Sequence, residues 1–196
     1  MPETFIESVK GFLLQPVETF QSHREATLGE ALKYYIILIV IFAVLSALLA
    51  LAGITGMAGM MGMGLGAGAA GVTAFVMVLI GAIVGGIIGI LIGGVLLHIF
   101  VYIVGGRKGI GQTIKALAYA ETPALLLGWI PVINIIGGIW AFVLTILGIR
   151  ELHEISTSRA IIAVILPLII VFVLVTLFAA YLLVGAMSTV PVTTMP

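Results

Sequence analysis

Residues 115–160 read KALAYAETPALLLGWIPVINIIGGIWAFVLTILGIRELHEISTSRA, and this stretch decides what kind of object the chain is. It is apolar for most of its length, yet its apolar part, residues 116–149, holds one carboxylate (Glu121), one amide (Asn134), two prolines and a ladder of small residues. The pattern predicts two membrane-spanning helices turned at Gly128-Trp129-Ile130-Pro131, then a short polar return loop. The first of the two is weak alone. Its five Ile and Leu residues favour insertion by only about 2 kcal/mol, whereas a central acidic residue costs roughly 2.5–3.5 kcal/mol. It is therefore expected to enter as a hairpin with its successor.

Composition extends that reading to the whole chain. Hydrophobic residues make up 62% and charged residues 8%, a balance that excludes a soluble or disordered chain and predicts an all-α, polytopic membrane protein. With no cysteine, disulfides, thiolate metal sites and a thiol nucleophile are excluded. A net charge of zero argues against nucleic acid, which requires clustered Lys and Arg. No cleavable signal peptide is recognisable, because the first 33 residues are polar-amphipathic.

Five spans are expected, at about 34–52, 73–104, 114–128, 132–149 and 160–186, after a segment 1–33 and before a short tail 187–196. Phe5, Val9, Phe12 and Leu13 recur at helical spacing, which predicts an amphipathic helix lying in the interface. Pro16 opens a second short helix anchored by Phe20. Low-complexity Gly, Met and Ala between residues 53 and 71 predict a loop, and Pro167 predicts a kink in the last span. Lys10, Arg24, Lys33, Arg107, Lys108, Lys115, Arg150 and Arg159 all fall on one side of such a bundle. The positive-inside rule then places the N-terminus in the cytoplasm and the C-terminus outside.

Gly81, Gly85, Gly89 and Gly93 stand four apart, and Gly138 continues a similar pattern in the fourth span. Small residues at this interval let backbones approach closely, so they are expected to pack the bundle or to form a homo-oligomeric seam. Glu121, His98 and Asn134 form the candidate intramembrane polar site. Glu121 and His98 stand at similar depth, so they could share a proton or simply tie spans two and three together. Met57, Met60, Met61 and Met63 offer soft thioethers to Cu(I), but no His or Cys stands beside them, and methionine also fills apolar loops. No cofactor is expected. The sequence has no Asp, no H-E-x-x-H, no G-x-S-x-G and no P-loop, which argues against an enzyme. Arg107, Lys108, Arg150, His153 and Arg159 are the expected contacts to anionic lipid head groups or a cytosolic protein.

Three segments resemble the Yip domain family, membrane proteins named for interaction with Ypt/Rab GTPases. They are FLLQPVETFQSHREATLGEALKYYIILIVI at 12–41, ALAYAETPALLLGWIP at 116–131 and IWAFVLTILGIRELHEISTSRAIIAVILP at 139–167. In the last, Trp140, Gly148, His153, Ser156, Arg159, Ala160 and Pro167 stand at matching places. The resemblance implies a five-span bundle with a cytoplasmic N-terminus. In the eukaryotic branch it implies trafficking roles, through small GTPases and membrane shaping. The short head and the missing Asp-Leu-Tyr-Gly-Pro motif speak against GTPase recruitment here, and the compact form resembles prokaryotic or archaeal members. What the resemblance implies is therefore a membrane-organising adaptor in a prokaryotic cell membrane, the rival being a small transporter or channel.

Overall fold

The structure, a computed structural model, describes residues 4–52 and 71–188, with side chains as far as residue 184. The described residues form helices α1 (Phe5–Leu14), α2 (Pro16–Ser22), α3 (Leu28–Leu51), α4 (Val72–Ile103), α5 (Ile110–Ala120), α6 (Thr122–Leu127), α7 (Ile133–His153) and α8 (Thr157–Ser188). Met57, Met60, Met61, Met63 and the tail beyond residue 188 lie outside the described residues.

Local chemistry sets most boundaries. α1 and α3 each begin with a capping box: Thr4 with Glu7, and Thr27 with Glu30. In each, the threonine hydroxyl accepts from the glutamate backbone N–H, and the glutamate carboxylate accepts from the threonine backbone N–H. Pro16 opens α2, where its missing N–H costs nothing. Gly105 and Gly109 take positive φ in the turn from α4 to α5. Val132, just before α7, has φ 71° and ψ −46°, close to a strained γ-turn that a β-branched residue disfavours. Glu154 ends α7 in the left-handed conformation.

Among the described residues, four helices are long and apolar enough to cross a membrane: α3, α4, α7 and Thr157–Val184 of α8. The expected span 114–128 differs from these. It is broken into α5 and α6 at Glu121, two residues before Pro123, which can donate no backbone hydrogen bond. The break is chemically closed. Thr122 donates to the carbonyl of Tyr119 at 2.6 Å, and its hydroxyl lies 2.9 Å from that of Tyr34, all buried.

In the bundle α3 packs along α4, α5 and α6 pack on α7, and α8 lies against α4 and α7. From α3, the inward row is Tyr34, Tyr35, Leu38, Ile39, Ala43 and Ala47, at helical spacing. The N-terminal segment is built into the core. Phe12 and Phe20 are fully buried, and Phe12 stacks on Tyr119 at 4.7 Å between centroids and meets Phe20 edge-on at 5.0 Å. Tyr34 and His23 close the aromatic cluster around Phe12. Buried aromatic pairs of this kind add about 0.5–1.5 kcal/mol each beyond the area they bury.

The glycine ladder faces elsewhere than expected. A Cβ added at Gly81, Gly85, Gly89, Gly93 or Gly138 would meet nothing within 4 Å, so these five do not pack the bundle. Close approach falls on other glycines, three of them directly beside a ladder position. A Cβ on Gly86 would strike Ile39 at 2.8 Å, on Gly94 Ile114 at 2.6 Å, on Gly137 the Pro123 carbonyl at 2.7 Å and on Gly148 Phe20 at 2.8 Å. Four-residue spacing defines a face of a helix without saying which face meets a neighbour.

Candidate functional site

Polar side chains concentrate at one end of the bundle, where the N-terminal segment, the α4–α5 turn and the α7–α8 turn meet. Lys115, on the first turns of α5, is 3% exposed and donates to the carbonyls of Arg24 (2.7 Å) and Ala26 (2.6 Å). The loop from α2 to α3 is thereby pinned onto α5. Gln112, one turn earlier, donates more weakly to the Arg24 carbonyl at 3.4 Å.

Around this point runs an ion-pair chain. Glu151, 7% exposed near the end of α7, accepts from Arg24 at 3.1 Å, Arg150 at 2.6 Å and Gln21 at 2.9 Å. Glu154 pairs with Lys108 at 2.6 Å and Arg24 at 3.4 Å. Lys108, bonded to the Glu154 carboxylate, holds that group below its ordinary pKa. Arg24 thus joins the N-terminal segment to α7, and Lys108 joins the α4–α5 turn to the same place. The two Glu154 pairs are exposed and contribute little to stability. Their value here lies in linking three segments that are distant in sequence.

A second buried network crosses the same end. His98 of α4 lies 2.8 Å from the Thr113 hydroxyl, which lies 2.9 Å from Nε2 of His153. His153 is 3% exposed, and its Nδ1 has no hydrogen-bond partner among the described residues. Gly106 sits over it: a Cβ there would come within 3.0 Å of that nitrogen.

The candidates from sequence are thereby sorted. Glu121, His98 and Asn134 do not form one site. His98 is engaged with Thr113 and His153, whereas Glu121 lies eight residues beyond Thr113, about 12 Å further along at 1.5 Å per residue. Asn134 is at the opposite end of α7 from His153. His153 is also corrected as a surface contact, because α7 continues four residues past the expected end of its span and turns the imidazole inward. Arg107 lies 3.6 Å over the Tyr102 ring and donates to the Tyr102 carbonyl at 2.5 Å. Lys108 and Arg150 are engaged in ion pairs. Arg159 is exposed and makes no ion pair among the described residues.

Sequence reasoning missed Lys115, Thr113 and Thr122 as structural polar groups. For Thr122 a signal exists: a hydroxyl just before a proline in an apolar helix is well placed to satisfy a carbonyl that the proline leaves free.

No curated protein and no solved structure matches the chain. Residues 10–187 match the family model of the Yip1 domain, a stretch that takes in the docked N-terminal segment and every helix from α2 to α7. This multi-pass, all-helical membrane protein belongs to the Yip1 domain family.

Proposed function

We propose that this protein is a non-enzymatic adaptor that organises the membrane, working through the platform at its charged end. The observation that carries the reading is the joining of three segments there. Lys115 holds the α2–α3 loop, Arg24 reaches Glu151 and Glu154, and Lys108 reaches Glu154. A platform fixed in this way presents a constant surface, which suits recognition better than turnover.

In this reading α5 and α6 make one interrupted crossing, for a total of five, and the charged end faces the cytoplasm. α1 lies along the interface, with Ile6 and Leu14 exposed to the head-group region. Lys10, Lys33 and Arg159 are exposed and contact anionic head groups, each favouring the surface by about 1 kcal/mol. A cytosolic protein would dock on the same surface. The setting is a prokaryotic cell membrane.

The test is reconstitution into vesicles with and without anionic lipid, reading vesicle shape by electron cryomicroscopy. The expected result is protein-dependent reshaping that needs anionic lipid and weakens in Arg159→Glu. Unchanged vesicles, together with a proton or cation flux that disappears in Glu121→Gln, would replace the adaptor with a transporter.

A further inference from the structure

Away from the charged end, a cleft of about 270 Å³ opens between α3, α4 and α5, lined by Tyr35, Gly86, Gly89, Ile90, Leu117 and Glu121. Glu121 stands at the α5–α6 break, so its side chain leaves the chain where the helix is interrupted. Among the described residues no hydrogen bond or ion pair reaches its carboxyl group. The nearest basic residue in the sequence, Lys115, is committed to the Arg24 and Ala26 carbonyls. The carboxylate therefore lacks a counter-charge from its own helix.

The other polar group of the cleft has the same sense. Tyr35 donates its hydroxyl proton to the Gly86 carbonyl at 3.0 Å, which leaves the phenolic oxygen able to accept. Carboxylate and phenol together present acceptors, and the remaining walls are backbone, Ile90 and Leu117. Gly89 lines the cleft too, and a Cβ there would meet nothing within 4 Å, so this part of the wall is bare backbone. Outside it, α4 shows exposed Ile88, Leu91 and Ile92, a surface suited to hydrocarbon. An inorganic cation would want more oxygen ligands than two.

We infer that this cleft binds an aliphatic ammonium cation arriving from the bilayer, its charge on Glu121 and Tyr35 and its alkyl part against Ile90 and Leu117. The site is separate from the platform at the charged end and does not depend on it.

Labelled n-hexylammonium is the probe, measured at equilibrium on the full chain in nonionic micelles, with 1-hexanol as the uncharged competitor. One equivalent is expected to bind to wild type and to Gly81→Leu, a substitution at an equally open glycine that does not line the cleft. Glu121→Gln and Gly89→Leu should each weaken binding by about tenfold or more, and hexanol should not compete. The second variant adds bulk to the cleft wall with the carboxylate intact, so the result does not hang on how Glu121→Gln folds. Binding no greater than to empty micelles, binding unchanged in Glu121→Gln or in Gly89→Leu, or equal competition by hexanol would each overturn the assignment.

Discussion

Replacing Lys115 by methionine removes a charge while keeping an unbranched side chain, and its effect can be worked from the contacts. Two charge-assisted hydrogen bonds are lost, to the Arg24 and Ala26 carbonyls at 2.7 and 2.6 Å. Each contributes about 1.5–3 kcal/mol net, so the gross loss is about 3–6 kcal/mol. Against this, the side chain is 3% exposed, and removing a buried ammonium recovers part of its desolvation cost. The Arg24 carbonyl also keeps the long bond from Gln112. A net destabilisation of about 2–4 kcal/mol follows. Denaturant titration in micelles gives the magnitude. Hydrogen exchange gives the location, and residues 21–27 should lose protection before the helices do. A Lys115→Met protein at least as stable as wild type, with unchanged exchange in that loop, would refute the claim that Lys115 pins it.

Phe12→Ala should cost about 3–5 kcal/mol, the usual loss for a fully buried phenylalanine, and should weaken the near-ultraviolet dichroism of the Tyr34 and Tyr119 rings. Gly86→Val should cost about 1–3 kcal/mol, since Ile39 leaves no room, while Gly81→Val leaves monomer stability unchanged; thermal melts of the pair in dilute micelles decide. Val132→Gly should stabilise by about 1 kcal/mol by releasing the positive φ, and a lower denaturation midpoint would contradict that. Glu154, lowered in pKa by Lys108, stabilises the fold above its unfolded-state pKa. That contribution is lost as pH falls through the lowered native value. Wild type and Glu154→Gln should therefore converge in stability at acid pH, and an unchanged gap between their melting curves would count against the pair.

Class and family were legible because they rest on long-range averages. The apolar runs that became α3, α4, α7 and α8 need no knowledge of partners, and the matching segments carried the family resemblance. Facing was not legible. Gly85 and Gly86 are adjacent in sequence, yet one looks outward and the other meets Tyr35 and Ile39, a choice made by α3 that α4 does not encode. His153 sits in a polar run, where solvent is the natural expectation. Only the continuation of α7 to that residue, and Gly106 above it, bring it inside. Phe12 and Phe20 stand at amphipathic spacing that suits a bilayer surface equally well, and their neighbour Tyr119 lies far along the chain. The interruption at Glu121 follows from Pro123, but the Tyr34–Thr122 link that closes it requires the tertiary arrangement.

The seating of Phe12 against Tyr119 has a consequence for biosynthesis. The ring is made near the start of translation, and the surface it occupies is made roughly a hundred residues later, a separation that makes the contact late and slow. Until α5 and α7 are in place, Phe12 and Phe20 have no site, and the first segment must wait outside the bundle. Arg24 likewise waits for Glu151. Docking of the head therefore comes after α5 and α7, and it reports that these two helices have been laid down in their proper places.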